Sequence, residues 1–293
     1  MVHPRAQELF AETHTILLIE HPGQLPFGQV QILRQMCIRD SRYTWNFRPD
    51  GAEGVVFWQN KIHARHGYRW IHPVHEILQW IGEGAPGPIV TTSGVQLDHH
   101  ADPKKSRAQY LSLLELATKE DPDDDRCVHY LGREYMFHHQ WDDCIQTLLH
   151  HLSMARATWP DERAASMRYI ALAYLQKGER SKAQNWYLKA ITEAPYLREA
   201  YVDLAAMLYE DARWDGVLFF TECALAIASR PMSYICEEKA WGSLPYDLRS
   251  IAYFRTGRFE QAYDAAEQAL AIEPENTRLR ANAAFLRKYK AEH

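Results

Sequence analysis

The chain has 293 residues, 46% of them hydrophobic and 24% charged, with a net charge of −5. That composition is enough to bury a core and excludes global disorder, and the length corresponds to one large or two modest domains. No Lys/Arg cluster or basic stripe is present, which argues against nucleic acid or an anionic membrane as the main partner.

The longest apolar run, Ile16 to Ile19, is far too short to span a bilayer, so no transmembrane segment is expected. The N-terminus lacks the basic region and long apolar core of a secretory signal. Cys37, Cys127, Cys144, Cys223 and Cys236 form an odd set without a CxxC pair, which disfavours a disulfide framework or zinc knuckle. A reducing cytoplasm is the expected compartment.

In chain order, residues 1–41 show an apolar run at Thr15-Ile16-Leu17-Leu18-Ile19 but no βαβ pattern leading to an acidic metal motif. Met36-Cys37-Ile38-Arg39-Asp40-Ser41 looks like translated sequencing-adapter sequence, so 1–41 is left unassigned, as a chimeric segment. Gly54 to Trp58, Lys61 to Arg65, and Ile89-Val90-Thr91-Thr92 on to Leu97 are predicted as short strands, with turns at Asn60-Lys61 and His66-Gly67. Pro73 to Trp80 is predicted as a short helix or a turn-rich crossover, and Trp45, Trp58 and Trp80 as core.

Near residue 103 the chain passes from Gly- and Pro-punctuated sequence to Ala-, Leu- and Glu-rich sequence at helical period, which places a domain boundary there. Lys104 to Lys119 is predicted as a helix that docks the helical half onto the first domain. Beyond it the sequence repeats. Leu131-Gly132-Arg133-Glu134-Tyr135 is followed nine residues later by Cys144, and the same frame places Tyr174, Ala183, Ala190 and Pro195, then Tyr253, Ala262, Ala269 and Pro274. A degenerate copy lies between them at Leu204, Leu208, Val217 and Ala224.

This is the tetratricopeptide pattern, in which small residues let two helices of a hairpin approach and a bulky Tyr fills the gap to the next pair. Positions 135, 174, 208 and 253 are spaced by 39, 34 and 45 residues. Longer inter-helix loops at Ala157 to Asp161 and Pro231 to Leu244 would account for the two larger intervals. In all, about five helix pairs are expected, closed by a polar helix over Asn282 to Tyr289.

The densest polar segment is Lys61 to Glu76, with His63, His66, His72, His75, Arg65, Arg69 and Glu76 among the aromatics Tyr68 and Trp70. With Trp45, the turn at Pro49-Asp50-Gly51 and the later His99-His100, it resembles the C-terminal part of family 2 glycosyltransferases of GT-A type. It is most similar to bacterial members whose transferase domain runs into tetratricopeptide repeats. Tyr68-Arg69-Trp70 to Val74-His75-Glu76 is the most specific stretch, and the resemblance covers residue 42 to the C-terminus.

The resemblance implies sugar transfer from a nucleotide-diphosphate donor to a sugar or protein acceptor, with a divalent cation, Mn or Mg, on the leaving diphosphate. It implies Glu76 as the catalytic carboxylate, His75 as metal ligand or diphosphate donor, and Arg65, Tyr68, Trp70 and His99 as substrate-binding groups. Read as residues alone, His63, His66 and His72 serve packing, and His99-His100 before Asp102-Pro103 form a helix-start cap.

The sequence departs from that family where a donor-binding βαβ half and an Asp-x-Asp motif belong. Asp123-Asp124-Asp125 has the letters of a metal motif but sits in a turn before a helix, where acids favour the N-terminus. The expected fold class is therefore α+β. Residues 42–103 form a small, mostly β remnant of a GT-A glycosyltransferase domain, and 104–293 an all-α tetratricopeptide-like solenoid. The expected function is an impaired glycosyltransferase fragment. The alternative is a protein-interaction module without catalysis, binding a peptide or protein through first-helix residues such as His129, Arg133, Arg168 and Arg198, whose ordinary role is a solvated helix face. A metal-dependent hydrolase ranks last, because no HExxH is present.

Overall fold

The computed structural model describes residues 15–16, 41–46, 55–59, 63–64, 66–86, 96–100 and 108–292. The chain forms two compact units, one running to Leu113 and including Met232–Tyr234, the other comprising Leu114–Pro231 and Ile235–His293.

In the first unit, β1 (Thr15–Ile16) pairs antiparallel with β4 (His63–Ala64). A three-stranded sheet has the order β3-β2-β7, formed by β3 (Val55–Gln59), β2 (Ser41–Asn46) and β7 (Gln96–His100), with β2–β3 antiparallel and β2–β7 parallel. The third sheet is a hairpin of β5 (Tyr68–Ile71) and β6 (Ile77–Trp80). The strands predicted around Val55 and His63 are present, whereas Ile89 to Thr92, Asn60-Lys61, Arg65 and Asp102-Pro103 lie outside the described residues.

Over Pro73 to Trp80 the structure differs from the helix or crossover expected. Ile77–Trp80 is a strand, and residues 72–76 are its hairpin connection. His72 and His75 take the left-handed conformation, φ 72° and 56°, on either side of Pro73 and Val74, which no helix accommodates. Trp80, expected in a core, is half-buried. Its ring packs edge-on to Tyr68 at 4.9 Å, and its indole N–H donates to the Gly84 carbonyl at 2.9 Å. A Cβ on Gly67, at φ 84°, would sit 2.3 Å from that ring, so this turn requires glycine.

The helical part opens with α1 (Ala108–Glu120). Four pairs come after it: α2 (Asp125–Phe137) with α3 (Trp141–Ser153), α4 (Pro160–Gln176) with α5 (Arg180–Glu193), α6 (Glu199–Glu210) with α7 (Trp214–Ala226), and α9 (Leu244–Arg255) with α10 (Phe259–Ile272). A one-turn helix α8 (Glu238–Trp241) precedes the last pair, and α11 (Thr277–Glu292) closes the array. Among the described residues there are thus four pairs rather than about five, and no helix is long and apolar enough to cross a membrane.

Each pair turns in the same way. The middle residues of the four connections, His139, Gly178, Ala212 and Gly257, all have φ between 53° and 77°. The N–H groups of Gln140, Glu179, Arg213 and Arg258 donate to the carbonyls of Tyr135, Tyr174, Leu208 and Tyr253, satisfying the orphan carbonyls of the helix end. The residues predicted to let helices approach, Cys144, Ala183, Val217 and Ala262, and then Ala190, Ala224 and Ala269, are fully buried. Tyr174 and Tyr253 each pack against two successive buried clusters, which is the gap-filling role expected of them.

The 39-residue interval has a different origin from a longer loop. Tyr174 is the fifteenth residue of α4, whereas Leu208 is the tenth of α6, so α4 begins more than a turn earlier. Pro160 at its first turn supports that start. The 45-residue interval does come from the connection between α7 and α9, which contains α8.

Candidate functional site

In the strand region, Tyr68 and Trp70, two apart on β5, share a face and hold the His63 ring, each at 5.7 Å between centroids. His63 is 5% exposed and serves packing, while Trp70 keeps 42% of its surface exposed. His75 stacks on Tyr110 at 6.0 Å, and Glu76 is exposed at the end of the hairpin connection. Arg65 lies outside the described residues, and His99 lies in β7, its side chain undescribed. The structure therefore groups Tyr68 and Trp70 around His63. Among the described residues no set of three ligand atoms from His, Cys, Asp or Glu includes His75, so within them the implied cation has no ligand set there.

Asp124 is an N-cap: its carboxylate accepts from the Cys127 N–H at 3.0 Å, the capping role expected of acids at that turn.

The helical array carries the denser constellation. The residues six before each aligned aromatic or Leu, namely His129, Arg168, Val202 and Asp247, lie on first helices and are 0%, 3%, 0% and 5% exposed. The solvated face expected of His129, Arg168 and Arg198 is corrected here: these side chains sit in a buried polar seam, because the neighbouring pair or the α7–α9 connection covers them. Arg133 is half-buried on α2, its guanidinium 4.5 Å from the Tyr130 ring and 5.9 Å from that of Phe137, which is 50% exposed.

Around Arg168 the seam is ionic. Its guanidinium donates to Asp203 on α6 at 2.8 Å and to Glu237 at 3.1 Å, and Lys239 reaches Asp203 at 2.9 Å and Glu237 at 3.2 Å. Burial alone would raise the Asp203 carboxyl, but Arg168 and Lys239 outweigh it and hold the group below its ordinary range. Glu199, fully buried at the start of α6, accepts from the Glu237 N–H at 3.0 Å and the Trp241 indole N–H at 2.8 Å. Burial raises its pKa in spite of Arg168. Arg198 donates twice to the Ile227 carbonyl, at 2.9 and 2.6 Å, and lies 4.4 Å from the Trp241 ring. The connection between α7 and α9 is thus fastened at Ile227, Glu237, Lys239 and Trp241 onto the first helices α4 and α6.

A second buried cluster joins the first two pairs. The Ser166 hydroxyl on α4 contacts Nδ1 of His129 on α2 at 2.8 Å and Nδ1 of His151 on α3 at 3.0 Å. Glu162, one turn earlier on α4, lies 3.6 Å from His151 Nε2. Desolvation pushes the His129 pKa down to about 3. Sequence reasoning missed both His151 and Glu162. The signal was available for His151: seven residues after Cys144, it stands where the other copies have Ala190, Ala224 and Ala269.

Family models describing the tetratricopeptide repeat match residues 170–196 and 244–276. These segments are tetratricopeptide repeats. Both fall on the helix pairs α4–α5 and α9–α10, and the same turn and the same small buried residues recur in the other two pairs. No curated protein matches the chain. Among solved structures it is similar to PilF of Pseudomonas aeruginosa, at 13% identity over 62% of this chain and 72% of that one, with a TM-score of 0.46. It is also similar to a thermophilic tetratricopeptide protein of Thermus thermophilus, at 17% over 60% and 88%, with a TM-score of 0.43. A third is YrrB, a tetratricopeptide protein with an unusual peptide-binding site, at 13% over 62% and 83%, with a TM-score of 0.44. The chain is a mostly helical repeat array with a small strand region, and the support falls on the repeats rather than on a GT-A domain.

Proposed function

We propose that the chain is a protein-interaction module that holds a segment of a partner protein against the first helices of its repeats. One observation carries this reading: the array already holds such a segment of its own. The α7–α9 connection is gripped through a backbone carbonyl by Arg198, a carboxylate by Arg168 and an indole by Glu199 and Arg198. These are the contacts by which repeat arrays take extended peptides, main chain for affinity and side chains for register. The strip Arg126, Tyr130, Arg133 and Phe137 continues that face on α2, pairing cations with an exposed aromatic edge. It suits a partner segment rich in carboxylates.

The glycosyltransferase reading of residues 42–103, with its nucleotide-sugar donor and divalent metal, rests on sequence resemblance. Glu76, exposed at a hairpin end, adds no geometric support to it.

The test is site-specific photocrosslinking of the full chain in cells, with the photoreactive residue at Arg133 or Phe137 on α2, or at Phe219 on α7. The expected result is a discrete crosslinked protein from the α2 positions and none from Phe219. A synthetic segment spanning the crosslinked site should then bind the purified chain and lose at least tenfold in affinity on Arg133→Ala. Equal crosslinking from all three positions, or binding indifferent to Arg133, refutes the proposal.

A further inference from the structure

We propose that His129, His151 and Glu162 form a three-ligand site for a divalent metal ion, Zn²⁺ by its chemistry, which ties the first helix pair to the second. The three residues come from α2, α3 and α4, are all buried, and bring one ligand atom each to within 4.8 Å of the others. Two imidazole nitrogens and one carboxylate oxygen are a donor set suited to Zn²⁺, leaving a fourth position as in three-ligand zinc sites.

The orientation of the rings is what points to a ligand. Ser166 Oγ contacts Nδ1 of both histidines. This leaves Nε2 of both, in fully buried side chains, without a hydrogen-bond partner among the described residues. Buried polar atoms are ordinarily satisfied, whereas here His129 Nε2 makes no hydrogen bond among the described residues and His151 Nε2 faces only the Glu162 carboxylate at 3.6 Å, an exception that asks for an occupant. A hydroxyl holding the far nitrogen of each ring is the arrangement by which metal-bound histidines are oriented, with both Nδ1–H groups donating and both Nε2 lone pairs free.

The spacing fits a modest contraction. His151 Nε2 and Glu162 Oε1 are 3.6 Å apart, close to the roughly 3.4 Å between ligands of a tetrahedral zinc with bonds of about 2.0–2.1 Å. The remaining separations are at most 4.8 Å and close by up to about 1.4 Å, within the reach of side-chain rotation. The sequence is consistent with a dedicated site: His151 replaces the Ala of the other copies, and Glu162 stands on the extra N-terminal turn that only α4 has.

The test is titration of the chelator-treated full chain with Co²⁺, monitored by the visible absorption of four-coordinate cobalt, and then displacement by Zn²⁺. The expected result is one Co²⁺ per chain. Affinity should fall at least tenfold in His129→Gln, His151→Gln and Glu162→Gln, and about 10–100-fold in Ser166→Ala, which touches no metal. Substituting the exposed His139 and His150 by Gln should leave binding unchanged. Absence of a stoichiometric cobalt band in the wild-type chain overturns the proposal without reference to any variant's folding. So does binding indifferent to the four substitutions in folded protein.

Discussion

Replacing Arg168 by Met keeps most of its hydrocarbon stem and removes the guanidinium that faces Asp203, Glu237 and Glu199. Glu199 is fully buried, the Asp203 side chain is 15% and that of Glu237 31% exposed, and Arg168 itself is 3% exposed. Breaking a buried pair by removing one partner costs about 3–5 kcal/mol, because the remaining charge stays desolvated. Lys239 still reaches Asp203 at 2.9 Å and Glu237 at 3.2 Å, so the low end, about 3 kcal/mol, is expected. For a unit of this size that corresponds to a melting point lower by about 6–12 °C. Arg168→Lys should recover only part of the loss, since it lacks the rigid fork whose Nε and Nη2 donate separately to Asp203 and Glu237. The assay is urea unfolding monitored by far-UV circular dichroism, alongside limited trypsin digestion read at Lys239, which precedes Ala240. A cost below about 1 kcal/mol, with no increase in cleavage at Lys239, would refute the claim that this cluster fastens the α7–α9 connection.

In the metal-free protein, His129 takes up its proton near pH 6.5 when unfolded but only near 3 when folded. Stability therefore falls as pH drops below 6.5, by up to about 1.4 kcal/mol per pH unit, and His129→Gln should flatten that slope in acid-unfolding curves. A Cβ at Gly132 would meet Leu148 at 2.4 Å, so Gly132→Ala should cost about 1–2 kcal/mol by urea titration, overpacking outweighing the helix preference for Ala. Ala212 holds φ 53° at its turn where Gly178 and Gly257 hold the equivalent place. Ala212→Gly should accordingly stabilise by about 0.5–1 kcal/mol in the same titration, as left-handed strain is relieved.

The repeats were legible because their constraint is local and recurrent. Tyr174, Ala183 and Ala190 must recur at fixed spacing if two helices are to close on each other, and a spacing survives in sequence. The seam was not, because Arg168 and Glu237 are 69 residues apart and no periodicity links them. An Arg six residues before the Tyr resembles any solvated helix residue until the connection that covers it is in place. Glu162 was hidden for a related reason: the longer interval before Tyr174 looked like loop, whereas it is an additional helical turn begun by Pro160. Over Pro73 to Trp80, a short apolar run after a proline suits helix or strand equally, and the left-handed His72 and His75 decided it. In the strand region the structure gives Tyr68 and Trp70 a common neighbour, His63, that no sequence spacing indicated.

The fastening of the α7–α9 connection also sets an order of events during synthesis. At about 5–20 residues per second, Arg168 and Asp203 leave the ribosome several seconds before Glu237 and Trp241, which complete their surroundings. For that interval Arg168, Glu199 and Asp203 lack the groups that complete their surroundings. The nascent repeats therefore present their grip before their own segment can fill it, and any competitor for Arg168 and Glu199 has its best access then.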